Sequence, residues 1–98
     1  MRRVEIHPEA EEEFAQAAFY LDAERVGYGD VFADRVRDAY EIVMTYPRAG
    51  KLVGRRARRI EVSGFRYAVI YQILPDLIFI LAIAHHSRRP GFWRSRLR

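Results

Sequence analysis

The run Leu77-Ile-Phe-Ile-Leu-Ala-Ile-Ala84 holds no polar residue, and it constrains the fold more than any other part of the chain. A strand sends alternate side chains to opposite faces, so a wholly apolar strand is stable only where both faces are covered. The run is too short to span a bilayer as a helix. It therefore reads as the central strand of a sheet. It leads straight into His85-His-Ser-Arg-Arg-Pro-Gly-Phe-Trp-Arg94, so a buried strand delivers histidine, arginine and aromatic side chains to the sheet edge.

The rest of the chain supplies the covering layers. Residues Arg3 to His7 alternate, with Val4 and Ile6 on one face, and Pro8 ends that strand. Pro8 also suits a first helical turn, and Glu9, Glu11, Glu12 and Glu13 favour the positive end of a helix. Ala10, Phe14, Ala17 and Leu21 form one helical stripe. The segment 27–30 predicts a turn, and Phe32, Val36, Ala39, Val43 and Tyr46 predict a second helix stopped by Pro47. A basic loop over 48–57 leads to a strand at 58–62. A second strand at 65–73 carries Tyr67, Val69, Tyr71 and Ile73 on one face, and the Leu74-Pro-Asp76 turn returns the chain to the apolar strand. The expected fold is α+β, in the order β-α-α-β-β-β. A helical hairpin packs on a mostly antiparallel four-stranded sheet, in one domain over residues 1–98.

Charge divides the chain. Residues 1–46 carry five Arg against eleven Asp or Glu, a net of −6, whereas residues 47–98 carry eleven Arg and Lys51 against Glu61 and Asp76, a net of +10. The second half therefore suits an anionic partner. There is no cysteine, which excludes a disulfide framework and thiolate metal ligands. With a polar N-terminal stretch, this points to a cytoplasmic protein with no membrane partner.

Few residues suggest catalysis. His85 and His86 are neighbours on a strand and point to opposite faces, so they do not share a metal ion. No metal or cofactor is expected. Ser63, Ser87 and Ser95 lie in no nucleophile motif, and Gly50-Lys51 and Gly54-Arg55 lack the spacing of a phosphate loop. Metal-free RNA cleavage needs a base, an acid and a cation on the phosphate. Glu61, His85 or His86, and Arg66 with Arg88 fit those roles. The plainer and preferred reading pairs Glu61 with Arg66 across strands.

Two surfaces suggest binding. The tail from Ser87 interleaves Arg88, Arg89, Arg94 and Arg96 with Phe92 and Trp93, offering charge and cation–π contacts to a target. Either these aromatics fold back on the sheet, or they project, or one anchors while the charges face out. On the helices, Phe19, Tyr20, Tyr40 and Met44 lie off the main stripes. They serve either helix–helix packing or, with Arg55, Arg56, Arg58 and Arg59, a docking surface for an acidic partner.

The frame His7-Pro-Glu-Ala10, the Phe19-Tyr20 pair, Pro47, the stretch from Arg59 to Tyr71 (RIEVSGFRYAVIY) and that from Ala82 to Trp93 (AIAHHSRRPGFW) together resemble the ParE branch of the RelE/ParE toxin superfamily. The resemblance covers essentially the whole chain. It implies a toxin of a bacterial type II toxin–antitoxin operon, silenced by a cognate ParD-like antitoxin. It implies DNA gyrase as the target for ParE-like action, with no specific DNA binding by the toxin alone, or mRNA cleavage on the ribosome for RelE-like action. The single Lys and the Arg98 end depart from the lysine-rich strand and tail tyrosine of the RelE pattern, which favours ParE-type action.

Overall fold

Pro8 fixes where the first helix begins. Strand β1 (Arg3–Ile6) ends just before it, and the His7 side chain caps the helix, its Nδ1 accepting the Glu9 N–H at 3.0 Å. In the computed structural model, which describes residues 2–98, helix α1 spans Pro8–Glu24 and buries Ala10, Ala17 and Leu21, with Phe14 packed beside them. Helix α2 (Tyr28–Thr45) starts earlier than the expected turn over 27–30 allows. The cause is Asp22, whose carboxylate accepts the N–H groups of Gly27 (2.9 Å) and Gly29 (3.2 Å) and so caps α2 from the end of α1. Gly29 is where the helices meet closely: a Cβ there would stand 2.6 Å from the Ala18 carbonyl oxygen. Phe32, Val36, Ala39 and Val43 are buried as their spacing predicts. Tyr46 is not; α2 stops at Thr45, Tyr46 is 68% exposed, and Pro47 opens a 3₁₀ turn, Pro47–Ala49.

The sheet corrects the expectation of four strands. It has five, β2 (Lys51–Val53), β3 (Ala57–Glu61), β4 (Tyr67–Ile73), β5 (Leu77–His85) and β1, in the order β1-β5-β4-β3-β2. It is mixed: β1 runs parallel to β5, and the other pairs are antiparallel. Strand β2 is too short to show an alternating pattern. It forms because the β3 edge offers it partners, and in sequence it is a basic loop.

The apolar run is an interior strand, with β1 on one side and β4 on the other, though the middle strand of the five is β4. Along β4, Tyr67, Val69, Tyr71 and Ile73 face the helices, while Ile70 faces away. Strand β5 carries a bulge: Tyr71 pairs with Ile80 and Ile70 with Ala82, leaving Leu81 as the extra residue. Leu81 and Ala82 consequently both face away from the helices, after which the alternation resumes.

No helix of eight residues or more covers that second face among the described residues. The tail does: Trp93, with Phe92 and Leu97, packs against Ala57, Ile70, Leu77, Phe79, Leu81, Ala82 and Ala84. This answers why β5 needs no polar residue. Its inner face meets the helical hairpin, and its outer face meets an aromatic strap.

Candidate functional site

The strap is fastened at a break in the sheet. Strand β1 ends at Ile6, and beyond the His7 N–H bonded to the Ile80 carbonyl, β5 has no strand on that side. Two side chains take over. Glu13, on α1, accepts the Ile83 N–H at 3.1 Å through one carboxylate oxygen. Arg96, on the tail, donates from Nη1 to the Leu81 carbonyl at 2.9 Å and grips both Glu13 oxygens, at 3.0 and 2.9 Å. The two side chains are 8% and 13% exposed, so the forked pair is largely removed from water. The Glu13 hydrogen bond raises the Arg96 guanidinium above its ordinary range. Farther along, the Arg98 backbone N–H and carbonyl pair with the Gln72 side-chain amide at 3.1 and 3.0 Å, and the Arg98 guanidinium lies over the Phe79 ring.

These contacts hold the tail folded back along the sheet. Trp93 is buried at 6% exposure, and Arg96 is committed to Glu13. Phe92 is half-buried, with the guanidiniums of Arg88 (3.8 Å to the ring centre) and Arg96 (5.2 Å) over its ring. The residues that face outward are Arg88, Arg89 and Arg94. The arrangement found is an aromatic anchor with these three charges outside and the Arg96 charge drawn in.

Around Glu61 the structure assembles a different cluster from the expected one. Arg59 Nε donates to one carboxylate oxygen at 2.8 Å, and His86 Nε2 shares the other at 2.6 Å; Arg66 is not among its partners. Burial pushes the Glu61 carboxyl up, but the hydrogen bonds from Arg59 and His86 prevail and hold it below the usual carboxylate range. That lowers its strength as a base. His85 points to the helical side, edge-on to Tyr67, with its Nδ1 at 2.8 Å from the Ser87 hydroxyl. It lines a cavity of about 240 Å³ with Glu13, Tyr20, Tyr67 and Arg88. The adjacent histidines thus serve opposite faces, as strand geometry predicts.

The helical hairpin carries an apolar groove of about 470 Å³, lined by Ile6, Glu11, Phe14, Val36, Arg37 and Tyr40. Tyr40 and Met44 are half-buried against the core, and burial pushes the Tyr40 phenol up to about 12. Phe19 (80% exposed) and Tyr20 (58%) stand apart from this groove, toward the far end of α1. Arg55, Arg56 and Arg58 line a separate cavity on the sheet, and Arg59 belongs to the Glu61 cluster. Sequence reasoning missed Glu13, which was counted only among the acidic residues of the first helical turn. Its only signal is a carboxylate next to Phe14 on the apolar side of α1, opposite an excess of arginine.

The sequence profile described as "ParE toxin of type II toxin-antitoxin system, parDE" matches residues 4–90. The chain belongs to the ParE toxin family. Among solved structures, the ParE-family fold seen here is similar to a chain of the chromosomal ParDE toxin–antitoxin system from P. aeruginosa. The TM-score is 0.73 at 10% identity, over 87% of this chain and 96% of that one. No curated protein matches the sequence significantly. The ParE profile ends at Pro90, so the strap that carries Trp93 and Arg96 lies beyond the matched residues.

Proposed function

We propose that this ParE toxin arrests growth by binding DNA gyrase in the cytoplasm, performs no bond cleavage itself, and is silenced by a ParD-like antitoxin. The observation that carries this reading over the nuclease alternative is the Glu61 carboxylate, whose two oxygens are occupied by Arg59 and His86 and whose basicity is reduced. A carboxylate stabilised in this way takes up a hydroxyl proton less readily. Of the two candidate acids, His85 lies on the helical side of the sheet, away from Glu61, and His86 is bonded to the Glu61 carboxylate itself. The outward-facing Arg88, Arg89 and Arg94 meet the target, and Trp93 and Arg96 hold the segment that presents them. The antitoxin lays apolar side chains into the groove between Ile6, Phe14, Val36 and Tyr40, at the acidic, helical end of the molecule. Arg37 on the groove wall supplies a contact for an antitoxin carboxylate.

Glu61→Gln separates the two activities. The amide keeps the side-chain volume and removes the base. Growth arrest on expression without antitoxin remains nearly intact under this proposal. A loss by orders of magnitude, with mRNA cleavage abolished in parallel, contradicts it.

A further inference from the structure

Two cavities flank the turn between β2 and β3. One, of about 470 Å³, is lined by Arg48, Arg55, Arg56, Arg58 and Arg98 over a floor that includes Leu52, Ala57 and Leu74. The other, of about 270 Å³, shares Arg55 and Arg56 and continues to Arg94 beside Trp93. Neither is lined by an acidic residue. Among the described residues, Arg48, Arg55, Arg58 and Arg94 have no Asp or Glu carboxylate within 4 Å.

The arrangement is held in place. Arg58 is fixed by donating Nη1 to the carbonyls of Gly50 (2.7 Å) and Arg48 (3.3 Å), and Arg56 donates to the Arg98 carbonyl (3.1 Å). The two internal carbonyls orient Arg58 without neutralising it. Uncompensated like charges around one concavity repel one another, and an anion relieves that repulsion. Guanidiniums match phosphate oxygens in pairs of parallel hydrogen bonds.

We infer that these two cavities, astride Arg55 and Arg56, form a track for the phosphodiester backbone of a nucleic-acid strand. Two adjacent cavities sharing one pair of arginines suit consecutive phosphates of one strand. The neighbouring Trp93 is buried against the sheet, so no free ring is offered for base stacking, and binding is independent of sequence. The inference does not depend on gyrase being the target, and gyrase is absent from its test.

The test measures fluorescence anisotropy of a labelled, mixed-sequence single-stranded oligonucleotide titrated with the full-length toxin at several salt concentrations. Three to four phosphate contacts give a slope of log affinity against log salt of about −2 to −3. Arg55→Glu with Arg56→Glu weakens binding by at least about tenfold and flattens the slope. Arg25→Glu with Arg35→Glu, on the helical hairpin, changes it little; circular dichroism confirms that both variants are folded. The inference is overturned by absence of salt-dependent binding, or by equal losses in the two variants. It is also overturned by a nucleoside triphosphate that competes as well as the oligonucleotide, which would mark a single-phosphate pocket.

Discussion

The Glu13–Arg96 pair joins three parts of the molecule: the first turns of α1, the open edge of β5 and the strap. Arg96→Met removes the guanidinium and keeps an unbranched chain of similar reach. Four losses follow. The Leu81 carbonyl loses its side-chain donor, Glu13 loses its forked partner, Glu9 loses an ion-pair partner at 3.3 Å, and the strap loses its fastening next to Trp93. Breaking a buried ion pair by removing one partner costs about 3–5 kcal/mol. Here the Ile83 N–H still faces Glu13 and Arg88 stands 3.6 Å away, so part of the charge remains compensated. The expected cost is about 2–3 kcal/mol, which for a domain of this size lowers the melting temperature by about 10–20 °C. Equilibrium urea unfolding followed by circular dichroism measures it. The double variant Glu13→Met with Arg96→Met removes both charges, and it costs less than the sum of the two single changes by at least about 1 kcal/mol. Arg96→Met within about 0.5 kcal/mol of wild type, or strictly additive single changes, would refute the view that this pair fastens the strap.

Tyr71 accepts the Gly50 N–H at 2.9 Å and donates its hydroxyl to the Pro47 carbonyl at 2.6 Å, so Tyr71→Phe leaves both backbone groups unpaired and costs about 1–3 kcal/mol in urea unfolding. The Tyr40 phenol is raised to about 12, against about 10 in an unfolded chain, so its contribution is fully present below pH 10 and is lost as pH rises towards about 12. Stability therefore falls over that window, and Tyr40→Phe makes the alkaline fall shallower in denaturation measured across it.

The parts of the fold that were legible in sequence are those whose burial is periodic. The α1 and α2 stripes, the β4 alternation and the two-sided burial of β5 follow from residue type and spacing alone. Strand β2 was not legible because its three residues carry no period, and the parallel docking of β1 was not because the direction of pairing leaves no mark within a strand of four. The start of α2 was misplaced because its cap, Asp22, lies on the preceding helix. In the candidate site, the composition of the tail was visible, but its path was not. Which aromatic anchors and which arginine is consumed depend on Glu13, a residue eighty-three positions away from Arg96. The same holds for Glu61, whose partners Arg59 and His86 replace the expected Arg66.

The central claim is that this ParE toxin acts by binding gyrase and not by cutting RNA. The most direct measurement is ATP-dependent supercoiling of relaxed plasmid by purified gyrase, titrated with the toxin alone and with the toxin bound to its antitoxin, alongside the integrity of mRNA in a translating extract. The account predicts that free toxin abolishes supercoiling, that the antitoxin restores it, and that the mRNA stays whole. Unimpaired supercoiling at saturating toxin, with mRNA cleaved on the ribosome, would contradict it.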